Sequence, residues 1–76
     1  MMLDETGRRV LEALMTFREP VGCGEIGKCA GLSVPKVMGK LRGLSKEGLV
    51  ETPIKGKYRV TSEGISALQG PVRGYP

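Results

Sequence analysis

The chain has 76 residues, 39% hydrophobic and 26% charged, enough for one domain with a thin margin of stability, and too short for a second core or a deep catalytic cleft. Its formal charge of +4 is unevenly placed: Lys28 to Arg59 holds eight basic residues against Glu47 and Glu51, a net of +6, whereas Met1 to Gly27 is net −2. A basic concentration in the middle of a chain attracts polyanions, while the absence of any histidine removes the commonest general base and metal ligand.

Asp4 or Thr6 can cap a first helix, expected over Glu5 to Arg18, whose stripe is Val10, Leu11, Leu14 and Phe17. Glu5 and Arg9 are spaced to pair on its outer face, Gly7 weakens its first turn, and Glu19-Pro20 closes it because the residue before proline avoids the α region. Val21 is a short extended piece. Gly22 then caps a second helix with Glu25 in its first turn and Ile26, Cys29 and Ala30 as its buried face, stopping at Gly31.

Gly31-Leu32-Ser33 is a tight turn in which glycine takes a left-handed conformation, Ser33 caps the next helix and Pro35 is tolerated in its first turn. That third helix runs from Val34 to about Glu47 with Val37, Leu41 and Leu44 turned inward, and Gly48 stops it. The opposite side carries Lys36, Gly39, Lys40, Gly43 and Glu47, with Arg42 and Lys46 on its flanks. Leu49 to Pro53 and Lys57 to Thr61 read as two strands of a hairpin turning at Ile54-Lys55-Gly56, with Tyr58 and Val60 on one face. Thr61 or Ser62 caps a last short helix, Glu63 to Gln69, which returns Ile65 and Leu68 to the core, and residues 70–76 read as a flexible tail. The expected core is Val10, Leu11, Leu14, Ile26, Val37, Leu41, Leu44, Leu49, Val60, Ile65 and Leu68.

Cys23 and Cys29 are the only thiols. A spacing of six on one helix turns them roughly 240° apart, so they are read as ordinary reduced cysteines and not as a disulfide; the alternative is that Cys23, near a helix N-terminus, senses redox state. One chain offers at most half of a tetrahedral zinc site. No nucleophile elbow or Walker loop is present, and Gly22-Cys23-Gly24 lacks the strand and the Lys-Ser/Thr that would make it a phosphate loop. The expectation is a protein that is not an enzyme, with no cofactor and no metal. No apolar run approaches the ~18 residues of a membrane span, and Met1-Met2-Leu3-Asp4-Glu5 shows no basic segment followed by an apolar one; a cytoplasmic protein is expected.

Three stretches carry a family resemblance. They are Glu25-Ile26-Gly27 with Gly31-Leu32-Ser33, then Leu41 to Glu51, then Tyr58 to Leu68. In register they resemble the winged-helix superfamily of helix-turn-helix regulators, of the small MarR-like kind, over roughly residues 8 to 69. The resemblance implies an α+β, mainly α, winged helix-turn-helix: a three-helix bundle, a two- or three-stranded antiparallel wing and a short C-terminal helix, as one domain over residues 1–69. It also implies that the third helix enters the major groove of double-stranded DNA. By position, Ser33, Val34, Pro35, Lys36, Gly39, Lys40 and Arg42 would face the duplex from that helix, and Lys55, Lys57 and Arg59 from the wing. Gly39 and Gly43 depart from the family, which commonly has longer polar readers there. Two readings stand: a DNA-binding transcriptional regulator, expected as a homodimer because paired half-sites raise affinity, and a winged helix used as a protein-interaction adaptor.

Overall fold

The computed structural model describes residues 4–69. The protein is α+β and mainly helical: α1 (Glu5–Met15), α2 (Cys23–Ala30), α3 (Val34–Lys46), β1 (Val50–Ile54), β2 (Lys57–Val60) and α4 (Ser62–Gln69). The expected tail, residues 70–76, lies outside the described residues.

Helix α1 starts as its sequence suggests. Asp4 is the N-cap, and its Oδ1 accepts the Gly7 amide at 2.7 Å, satisfying a donor that the first helical turn cannot use itself. Glu5 pairs with Arg9, and Arg8 with Glu12, each at 3.3 Å. The helix ends at Met15 and not at Arg18, three residues earlier than expected. Thr16 is the reason: its hydroxyl donates to the Ala13 carbonyl at 2.7 Å while its backbone amide turns to Ala13 and Leu14, drawing the carbonyls of the last turn inward.

Helices α2 and α3 end by the same device. Gly31 (φ 72) and Gly48 (φ 80) take left-handed conformations, and the amides of Leu32 and Leu49 reach back to the carbonyls of Gly27 and Leu44, each at 2.9 Å. This is the six-to-one closure of a Schellman turn, which needs a residue without a Cβ penalty at the left-handed position. Gly27 is held to glycine for a second reason: a Cβ there would stand 2.8 Å from the Leu32 carbonyl oxygen. The close approach brings Val37 of α3 against α2. Ser33 occupies the N-cap of α3, but its side chain makes no capping bond. Pro35 at the second helical position has no amide to offer that side chain, which leaves it the Lys36 amide alone.

The two strands pair antiparallel with Val50 opposite Val60, Glu51 opposite Arg59 and Ile54 opposite Lys57. Between the last two pairs β1 takes one more residue than β2, an irregularity that falls at Thr52-Pro53 and suits a proline, which has no amide to give to a ladder. Gly56 (φ 79) closes the hairpin. Val21 adds a single-residue third rung: its amide donates to the Tyr58 carbonyl at 3.0 Å, and the Tyr58 amide donates back at 2.7 Å.

Val10, Leu11, Leu14, Ile26, Val37, Leu41, Leu44 and Leu49 are buried as expected, joined by Ala13 and Val50. Val60 and Leu68 pack against this core while half-buried. In α4 the inward phase is set by buried Gly64, whose neighbours one turn on are Ala67 and Leu68, so Ile65 stands beside the core and not in it. Thr61 joins α4 to the end of α3, because its Oγ1 donates to the Gly48 carbonyl at 2.7 Å and accepts the Gly64 amide at 3.1 Å. A Cβ on Gly64 would collide with the Leu49 carbonyl oxygen and with Val60. Gly64→Ala is therefore expected to lower stability by about 1–3 kcal/mol, the usual cost of overpacking, read as a lower urea midpoint at unchanged slope; an unchanged midpoint would refute the close approach.

Candidate functional site

The outward face of α3 follows from its inward one. With Val37, Leu41 and Leu44 buried and about 100° of rotation per residue, the opposite side is centred on Pro35, Gly39, Arg42 and Lys46, all exposed. Lys36 stands on one flank and Met38, 48% exposed, on the other. From Val34 to Lys46 the helix carries four cations and no acid.

The hairpin lies beside the Met38 flank. Met38, Arg42, Ser45 and Lys46 of α3, with Thr52 of β1 and Tyr58 of β2, line an open groove whose floor includes Leu41. Tyr58 is half-buried and fixed by its two backbone bonds to Val21. Lys55 and Lys57 flank Gly56 at the hairpin tip, both exposed. Among the described residues, the ion pairs present leave Lys36, Arg42, Lys46, Lys55 and Lys57 without a carboxylate partner, as they do Arg18 and Lys28 elsewhere on the surface.

Pro35, Lys36, Gly39 and Arg42 are thus exposed along α3, Ser33 and Val34 are exposed at its start, and Lys55 and Lys57 are exposed at the hairpin tip. Two of the expected residues are placed differently. Lys40 turns to the far side of α3, where its Nζ donates to Asp4 Oδ2 at the start of α1 at 2.5 Å. Arg59 spends its Nε on Glu51, directly opposite in the ladder, at 2.5 Å. Neither charge is free as expected. Conversely, Ser45, Lys46, Thr52 and Tyr58 line the groove without having been singled out. Lys46 was legible, since it follows Arg42 by four positions on one helix face; the hairpin's contribution depends on how β1 folds back on α3.

Gly39 and Gly43 are not held to glycine by packing: a Cβ at either would meet nothing within 4 Å. The Asp4 carboxyl lies below its usual value, first because the Lys40 ammonium hydrogen-bonds to it and then because the Gly7 amide does. Cys23 is half-buried against the core, and Cys29 is exposed with its Sγ 3.5 Å from the Thr16 hydroxyl; both are free thiols. Among the described residues no three His, Cys, Asp or Glu side chains gather as a metal site, and no helix is long and apolar enough to cross a membrane.

Compared with protein-family models, with curated proteins and with solved structures, the chain finds no match in any of the three.

Two outcomes are expected. Gly39→Ala and Gly43→Ala each raise stability by up to about 1 kcal/mol, because alanine gains helix propensity where space is open; chemical denaturation checks this, and a loss of stability would mean that the face is covered. The second concerns acid. The folded chain releases the Asp4 proton more readily than the unfolded chain, so below the ordinary carboxylate value of 3.8 the unfolded state holds more protons and stability falls as pH is lowered. Melting curves across the acid range should show a shallower decline for Asp4→Asn than for the natural chain; parallel declines would remove the Lys40–Asp4 pair from the account.

Proposed function

We propose that this protein is a winged helix-turn-helix that binds double-stranded DNA through α3 and the β1–β2 hairpin, as a DNA-binding regulator or accessory protein. The observation that carries the reading is the acid-free outward face of α3 with the β1–β2 hairpin folded against its Met38 flank and two further lysines exposed at the hairpin tip. An exposed helix of ordinary width enters the major groove of B-form DNA, and the adjoining hairpin reaches the neighbouring phosphates. The element order supports the same reading: α2, a three-residue turn, α3, then a hairpin with a third rung at Val21.

Within this reading each residue has a task. Lys36, Arg42 and Lys46 meet phosphates or guanine acceptors from α3, and Lys55 and Lys57 meet phosphates from the wing. Val34, 43% exposed at the start of α3, offers a methyl-lined contact of the kind thymine accepts. The Ser33 hydroxyl, unused as a cap, is available to a phosphate oxygen. Lys40 contributes less, because its ammonium is shared with Asp4.

The test is titration of duplex DNA at two salt concentrations. Binding should weaken steeply with salt. Lys36→Ala and Lys57→Ala should each reduce the slope of log K against log salt by about 1. Lys40→Ala should change it by less, and Asp4→Asn, which frees the Lys40 ammonium, should tighten binding. Absence of binding at low salt would turn the reading toward a protein-interaction adaptor with the same fold.

A further inference from the structure

We infer that the DNA contact is independent of base sequence, made to the sugar–phosphate backbone, with one strand lying in the groove between α3 and the hairpin. The inference rests on the duplex-binding reading and names how that site recognises its ligand.

Base readout requires side chains that present donors and acceptors at the groove-facing centre of a helix, chiefly Arg, Lys, Asn, Gln, Glu or Asp, and the amides and carboxylates among them read bases other than guanine. The centre of this face is Pro35, Gly39, Arg42 and Lys46; the first two, and Gly43 alongside, have no side chain able to hydrogen-bond, and the other two line the groove beside the hairpin. The whole chain contains no Asn, and its one Gln, Gln69, closes α4. This poverty is not imposed by the fold, because the space around Gly39 and Gly43 would hold a larger side chain without a clash. The polar groups that remain are of the other class. Lysines dominate the flank and the hairpin tip, and a lysine is a mobile point charge with three rotating donors, suited to any phosphate oxygen. Arg42 is the one cation on α3 with a fork that could read a guanine, and it lines the groove with Lys46 and the hydroxyl-bearing Ser45, Thr52 and Tyr58. Two cations and three hydroxyl-bearing residues, with Met38 beside them, line this open channel, a set that suits a phosphodiester strand: the cations neutralise its charge, hydroxyls donate to its oxygens and the apolar side chain packs on the sugars. Every one of these contacts is the same whatever base the strand carries.

The experiment has two arms on the full chain. In the first, fluorescence anisotropy measures binding to short duplexes of alternating A·T, alternating G·C and mixed sequence, at low and fourfold higher salt. If Lys36, Arg42, Lys46, Lys55 and Lys57 each neutralise a phosphate, log K falls with log salt with a slope of about −4.5, a loss of about 500-fold across that range. Affinities for the three duplexes should agree within roughly threefold, well under the discrimination of about 1000-fold or more that sequence-specific proteins show. Replacing both Arg42 and Lys46 with Ala should lower the slope by about 2 units for all three duplexes alike; melting curves of the double variant check that it is folded. In the second arm, selection from randomised duplexes should return no shared motif. A recovered motif bound about 1000-fold more tightly than random duplex overturns sequence independence and leaves duplex binding standing. An unchanged slope in the double variant overturns the groove as the strand's seat. No binding to any duplex at low salt overturns this inference together with the DNA reading.

Discussion

The structure depends on the contact between Gly27 and Leu32. Where α2 passes the turn, the Leu32 carbonyl comes so near the helix that a side chain at Gly27 would displace it. The left-handed Gly31 then reverses the chain within three residues, and Val37 packs fully buried against α2 and α1. In a domain this small, each helix is held by few neighbours, so one steric contact fixes an angle that a larger protein would fix by many. The presentation of α3, and with it everything on its outer face, follows from that angle. Helix α1 secures the arrangement from behind, packing against α2, α3, α4 and β2 through Val10, Leu11 and Leu14.

The other end of α3 is held by a second steric contact of the same kind. Gly64 admits the Leu49 carbonyl and Val60, and Thr61 bridges the carbonyl of Gly48 to the first turn of α4. Since β1 begins immediately after Leu49, this clamp also sets where the hairpin leaves α3, and therefore the width of the groove beside Arg42 and Lys46. The glycines divide accordingly. Gly27, Gly31, Gly48, Gly56 and Gly64 are required by close approach or by positive φ, whereas Gly24, Gly39 and Gly43 have open space and ordinary backbone. Glycine in an unconstrained helix position costs stability, so the second group weakens the outer surface of α2 and α3 without serving the core.

Much of this was readable in the sequence because the boundaries are punctuated chemically. Gly31, Ser33-Pro35 and Gly48 mark the limits of α2 and α3 to within a residue, and the spacing of Val37, Leu41 and Leu44 gives the inward face directly. The end of α1 was not readable: Pro20 is a visible stop, but the earlier stop comes from a hydroxyl of Thr16 turning onto Ala13, which propensity does not encode. Ile65 was misplaced because the inward phase of α4 is carried by a glycine, and hydrophobic patterning looks for the larger residue. Lys36 and Lys40 sit on the same flank by periodicity. What separates them is the start of α1, whose N-cap Asp4 lies 36 positions away in sequence and reaches only Lys40.

That separation shows how ion pairing shapes the site. Exposed pairs such as Lys40–Asp4 and Arg59–Glu51 contribute little to stability, since water screens them and the side chains lose freedom. Their effect on the electrostatic field is larger than their effect on the fold. Each removes one cation from the surface budget, and each removes it at the edge: Lys40 on the α1 side of α3, Arg59 along the body of the hairpin. Of the cations left without partners among the described residues, five of seven are on α3 or at the hairpin tip, the other two being Arg18 and Lys28, so the unpaired positive charge is weighted toward that part of the domain. A polyanion approaching the protein is steered by the residual positive charge within a Debye length of about 8 Å at physiological salt, and the groove sets Arg42 and Lys46 beside the hydroxyl-bearing Ser45 and Thr52.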